Sequence, residues 1–246
     1  MTDVTPPPAP PTTPIWEDFI DIFTSPSSVF ERRKDDPNFV PPWLVFTVVV
    51  AVIVLLGWST FEPVMHADQV RGMEKYIASH PDLPANIVEQ MRSGNMPGAG
   101  IAKYIVPVAA AVVVLLVGLI TWIGGKLVGA ATTVGQAMMI AAYAYFPKII
   151  DSVVQMVLAM TLPDSMLTTA GHLKLGPSMA LDPDHSSLVL AAVVTRLDVF
   201  TIWTTVLIAI GLRVTGKLST QKAAIAAVII WIIGALFPVF GALRAG

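Results

Sequence analysis

Residues 104–124 read YIVPVAAAVVVLLVGLITWIG, a run without a single acidic, basic or histidine side chain. At about 1.5 Å per helical residue it reaches roughly 30 Å, the thickness of the hydrocarbon core of a bilayer. Working outward from it, four more apolar windows of spanning length stand at 43–61, 135–160, 188–212 and 223–241. Of the 15 Lys and Arg and 17 Asp and Glu in the chain, only four fall inside the five windows. The 246 residues are 54% hydrophobic and 13% charged, with a mean hydropathy of +0.71, whereas a soluble domain carries about 25% charged residues. The expected fold class is therefore an all-α integral membrane protein, with five transmembrane helices preceded by a cytoplasmic amphipathic helix. That composition excludes a secreted disulfide scaffold and a soluble enzyme. A net charge of -2 leaves no basic excess for nucleic acid, and the absence of cysteine removes thiolate chemistry.

Ahead of the first window the chain divides in two. Residues 1–14, MTDVTPPPAPPTTP, are expected to form a disordered proline-rich tail. Residues 15–42 are expected to form a cytoplasmic amphipathic helical segment, and 43–246 the five-span membrane domain. Thr13 suits a helix cap and Pro14 a first turn. Beyond them Trp16, Phe19, Ile20 and Phe23 form an apolar stripe opposite Glu17, Asp18 and Asp21. The stripe reads as a membrane or partner contact. The acidic face suits basic groups of the same chain or of a partner better than anionic lipid. A second short helix is expected from Ser25-Pro26 through Phe30 to Arg32-Arg33-Lys34.

Sidedness follows from the basic residues flanking the spans. With the N-terminus inside, the inner flanks carry Arg32, Arg33, Lys34, Lys126, Arg213, Lys217 and Lys222, seven in 35 residues. The outer segments 62–103, 161–187 and 242–246 carry six in 74 residues. The expected topology is a cytoplasmic N-terminus and an exoplasmic C-terminus, in a bacterial inner membrane. Within segment 62–103, short helices are expected at 69–77 and 85–92, and the 161–187 loop reads as irregular. Gly125-Lys126-Leu127 with Pro147, and Gly216-Lys217-Leu218 with Pro238, repeat at an offset of 91. This suggests two parallel hairpins, or a coincidence of an Ala- and Gly-rich composition.

The helix break at Ser25-Pro26 with Phe30 beyond it, the Trp43-led span after a proline pair, Gly124-Gly125-Lys126, the run from Ala142 to Pro147 and the Gly-Lys-Leu-Ser turn at 216–219 together resemble the bacterial branch of the YIP (Ypt-interacting protein) family. The resemblance covers roughly residues 16 to 242. It implies a cytoplasmic N-terminus, five spans, no catalytic residue and no cofactor. Eukaryotic members are membrane-embedded partners of Rab-type GTPases. This chain lacks their Asp-Leu-Tyr-Gly-Pro motif, so that partner is not carried over.

Ionisable residues inside a span cost roughly 2.5 to 3.5 kcal/mol each and are functional candidates by default. Lys148 and Asp151 lie three apart on one helix face, while Arg196 and Asp198 lie two apart and diverge. Counted inward from the exoplasmic ends of two antiparallel spans, Asp151 falls level with Arg196 and Lys148 with Asp198. The cluster is either a neutral glue between spans or a proton or ion relay, with Pro147 opening the helix beside it. Arg196 could otherwise snorkel outward. Pro147 and Pro238 are the candidate hinges. His66, His80, His172 and His185 lie in the outer loops without established ligand spacing, so no metal or cofactor is expected. Gly124-Gly125-Lys126 lacks the flanking residues of a phosphate loop and reads as a turn. The function these residues imply is a non-enzymatic membrane organiser or adaptor. Its partners would be the lipid bilayer and membrane proteins or copies of itself, without nucleic acid. The alternative is a small transporter or channel-like protein using the Lys148, Asp151, Arg196 and Asp198 cluster.

Overall fold

A computed structural model describes residues 14–93 and 101–245. The expected tail, apart from Pro14, lies outside the described residues. Every regular element among the described residues is helical. The α-helices are α1 (Ile15–Thr24), α2 (Pro26–Arg33), α3 (Val40–Ser79), α4 (Ala85–Arg92), α5 (Ala102–Leu127), α6 (Val134–Ala144), α7 (Pro147–Thr161), α8 (Leu188–Val194), α9 (Val199–Thr215) and α10 (Thr220–Ala245). By length and composition, α5, the run Val134–Thr161 and α10 can each cross a bilayer. The bent pairs Val40–Leu56 with Trp58–Ser79, and α8 with α9, raise the number of candidate spans to five.

Two of those spans differ from the sequence expectation. The first does not stop at 61. After an 84° bend between Leu56 and Trp58 it continues to Ser79, absorbing the helix expected at 69–77. Gly57 sits at the bend and is buried. A Cβ there would stand 3.0 Å from both Met156 Sδ of α7 and the Phe61 ring, so glycine lets α7 approach without displacing either side chain. The fourth span is broken by 56° between α8 and α9. Asp198 ends the break in extended geometry and caps α9, accepting from the backbone N–H groups of Phe200 and Thr201, both at 3.0 Å.

The α6–α7 run forms the centre. Met139, Ile140, Ala141, Ala142, Tyr143 and Ala144 are all buried, while α5 and α10 turn Leu116, Leu119, Ile225 and Val228 outward. Between helices bathed in lipid the hydrophobic effect supplies little, so association rests on close contact over small residues. Gly211 of α9 meets Ile140 of α6 in this way, and Gly118 of α5 meets Met138. A capping box at Thr133 and Gln136 starts α6. Pro147 occupies the first turn of α7 after a short break at Tyr145-Phe146, whereas Pro238 lies inside α10.

The two repeated turns touch. Ala131 N–H donates to the Gly216 carbonyl at 3.3 Å, and the Thr132 and Thr215 hydroxyls pair at 3.1 Å. Helices α1 and α2 pack at this same end of the bundle, where Gln136 donates to the Lys34 carbonyl at 2.8 Å and Arg213 to Ser27 at 3.2 Å. The 162–187 loop occupies the opposite end, joined to the far half of α3 through Arg71 and Lys75.

Candidate functional site

The interior charges gather around Lys148, at the start of α7. Its Nζ lies 3.0 Å from Asp151 Oδ2 and 3.3 Å from Asp198 Oδ1, and it donates to Thr201 Oγ1 at 2.8 Å. Three and four residues make one helical turn, which brings Lys148, Asp151 and Gln155 to one face of α7. Gln155 donates to Asp151 Oδ1 at 2.8 Å. Asp151 and Asp198 are 2% and 1% exposed, so each carboxylate depends on these partners for the hydration it has lost.

The structure joins Lys148 to Asp198 but leaves Asp151 and Arg196 apart. The second cation at Asp151 is Lys174, at 3.2 Å. It comes from the 162–187 loop, which presses on the α8–α9 break. Val199 N–H donates to the Leu175 carbonyl at 3.0 Å, and a Cβ on Gly176 would stand 3.0 Å from Asp198 Cα. Lys174 is the only lysine or arginine between 161 and 187, which is the single sequence signal that could have singled it out. Two lysines and two aspartates thus balance.

Arg196 stands outside that set. It points across the break toward α10, with its guanidinium 5.9 Å from the Trp231 ring centroid, and Trp231 Nε1 donates to its carbonyl at 3.4 Å. Its Nε is buried without a hydrogen-bond partner among the described residues. Arg196, Lys148, Lys174 and Asp198 all line one cavity of about 800 Å³ between the far half of α3, α5, α8, α9 and α10.

A second charge constellation fixes the N-terminal helices. Asp18 is fully buried. Its Oδ1 accepts from Arg32 Nη2 at 2.7 Å, and its Oδ2 from Arg33 Nε at 2.6 Å and from the Tyr143 phenol at 2.9 Å. Burial lowers the Arg32 pKa, but hydrogen bonds to Asp18 and Asp21 outweigh it and hold the guanidinium above its ordinary value.

The expected apolar stripe therefore splits. Phe19 stacks on Phe146 at 5.1 Å and Phe23 meets Trp203 edge-on at 5.7 Å, while Trp16 and Ile20 are each 59% exposed. Two arginines and a phenol meeting one carboxylate draw the expected polar side of α1 inward. Composition alone ranks an aspartate as the outer face.

The histidines do not converge. Both His172 ring nitrogens face carbonyls, Met166 at 2.6 Å and Leu181 at 3.0 Å, and His185 pairs with Asp182. No group of three or more potential metal ligands occurs among the described residues.

Three comparisons bear on this architecture. The family model described as Yip1 domain matches residues 20–241. The membrane protein YknW of Bacillus subtilis (strain 168) is 27% identical over 225 residues, covering 90% of this chain and 88% of that protein. No solved structure matches. The family match runs from within α1 into α10, across the charge cluster and the broken span, and so takes in all five candidate spans: the protein belongs to the Yip1 domain family of membrane proteins.

Proposed function

We propose that the chain is a non-enzymatic membrane organiser, acting through membrane-protein partners or copies of itself. The observation that carries this reading is the closure of the interior charge set. Lys148 neutralises two carboxylates and Lys174 completes the balance, so every aspartate in the set is engaged. An ion-coupling carboxylate has to exchange its partner during a cycle, whereas a structural one keeps it. The rigidly clamped α1, with Trp16 and Ile20 facing outward, supplies the contact for lipid or partner. The basic flanks lie at the end bearing α1 and α2, which supports a cytoplasmic N-terminus and an exoplasmic C-terminus, and the likeness to a Bacillus membrane protein supports residence in a bacterial inner membrane.

The decisive experiment has two arms on the full chain. A photo-crosslinker at position 16 or 20 in intact membranes is expected to trap a discrete protein adduct or a chain dimer. Reconstituted liposomes are expected to show no proton or potassium flux above empty ones. Flux abolished by Asp151→Asn, together with lipid-only adducts, overturns the reading. A small transporter or channel-like protein is the second reading, favoured by the cavity beside the cluster.

A further inference from the structure

We infer that the cavity at the α8–α9 break binds an anionic amphiphile, with Arg196 and Thr204 holding its acidic headgroup and the apolar walls holding its chain. The inference stands whether the protein organises partners or moves solutes.

The charges decide the sign of the ligand. Lys148 and Lys174 are matched by Asp151 and Asp198, and Asp198 also spends its oxygens on the α9 backbone and Thr201. Asp68, at the cavity's outer edge, accepts from the Ala170 backbone at 2.9 Å and faces Arg71 at 4.0 Å. That leaves Arg196 as the surplus cation, making no ion pair among the described residues. A positive charge held in an apolar interior attracts an anion strongly because little water screens it.

Thr204 is the independent observation. It lines the cavity, is 6% exposed, and its Oγ1 has no hydrogen-bond partner among the described residues. Buried helical threonines ordinarily donate to the carbonyl one turn back. Thr195 does so to Ala191 at 2.6 Å and Thr205 to Thr201 at 2.8 Å. An unsatisfied hydroxyl in the same cavity as a guanidinium that makes no ion pair and whose buried Nε lacks a partner asks for an acceptor with several oxygens. Phosphate esters and carboxylates provide one, and the planar guanidinium fork matches both.

Size and walls decide the rest. About 800 Å³ far exceeds what a bare ion needs and falls within the roughly 300–1,000 Å³ of small-molecule sites. Val117, Ile120, Ile208, Ile230 and Pro238 line it with hydrocarbon. Gly234 admits the guanidinium, since a Cβ there would stand 2.9 Å from Arg196 Nη2. An acidic head on an apolar tail satisfies both halves of the cavity, and an anionic phospholipid is the probe with that chemistry.

The test uses the full chain in detergent, titrated separately with phosphatidylglycerol, phosphatidylcholine and inorganic phosphate while its thermal midpoint is followed. Phosphatidylglycerol is expected to raise the midpoint saturably. Arg196→Gln is expected to weaken its apparent affinity at least about tenfold, the scale of losing a hydrogen-bonded charge. Thr204→Val is expected to weaken it severalfold with the lipid-free midpoint kept, and decides alone if Arg196→Gln does not fold. Equal stabilisation by phosphatidylcholine overturns the anionic headgroup, and equal stabilisation by inorganic phosphate overturns the amphiphile. An unchanged response in the variants overturns the site.

Discussion

Asp18 and Tyr143, 125 residues apart in the chain, meet through a 2.9 Å hydrogen bond at a point where neither side chain is exposed. The phenol donates and the carboxylate accepts, so α1 is fastened to the central helix by a polar contact inside an apolar core. Removing one member of such a set costs the buried carboxylate a donor or its donors a shared acceptor. Tyr143→Phe is expected to cost about 1–3 kcal/mol, and Asp18→Ala more, about 3–5 kcal/mol, because Arg32 and Arg33 lose their shared acceptor. Unfolding midpoints in a denaturing detergent check the order. Equal losses for the two variants would refute the clamp.

The lysine at the centre of the interior cluster yields a sharper expectation. Lys148→Met strands Asp198 at 1% exposure and is expected to cost about 3–5 kcal/mol. Adding Asp198→Asn should restore part of that loss, since the stranded charge disappears while a side-chain acceptor remains for α9. A double-mutant cycle on unfolding free energies reads the coupling directly. Strict additivity would mean the two side chains do not act on one another.

Close helix approach can be tested by adding one methyl group. Gly211→Ala places a Cβ 2.7 Å from two atoms of Ile140, a β-branched side chain with little freedom to move. A loss of about 1–3 kcal/mol is expected. Gly72→Ala meets nothing within 4 Å and should instead gain up to about 1 kcal/mol from helix propensity. Thermal midpoints moving in the same direction for both variants would count against the packing argument.

The exposed Asp182–His185 pair sets a pH window. The hydrogen bond to Asp182 raises the His185 pKa, and the hydrogen bond to His185, with help from the Asp184 backbone, lowers that of Asp182. The histidine contribution is complete below about pH 6.5 and fades as pH rises through the raised value. The aspartate contribution is complete above about pH 4 and fades as pH falls through the lowered value. The 182–185 turn is thus expected to be tightest between about pH 4 and 6.5. Amide hydrogen exchange across that turn, with Asp182→Asn as the control, measures it. A His185 titration midpoint that does not fall in the control would remove the pairing as the cause.

Some of this architecture was legible in the residues. Long uncharged runs such as 104–124 report burial in lipid through composition alone, which requires no knowledge of what packs where. Family membership rested on short turns such as Gly124-Gly125-Lys126, which survive in a linear string. Breaks inside apolar runs were hidden for a different reason. Gly57 and Asp198 alter the path of the backbone without altering hydropathy, although Asp198 followed by Thr201 is a cap pattern. Arg196 and Lys174 were interchanged because level-counting along two straight helices ignores both the 56° break and the loop folded against it. The inward turn of Asp18 depends on Arg32 and Arg33 of α2 and Tyr143 of α6 converging on it, which no local period records.

Lys174 makes the loop between α7 and α8 an electrical component of the bundle. Its ammonium is the fourth charge in a set that is neutral only while the loop rests on the α8–α9 break. Lifting the loop by a few ångströms would leave that set of four one positive charge short, with Lys148 as the one cation shared by Asp151 and Asp198. Displacement at one face of the protein is thereby transduced into a change of field deep between its helices, without any helix having to move first.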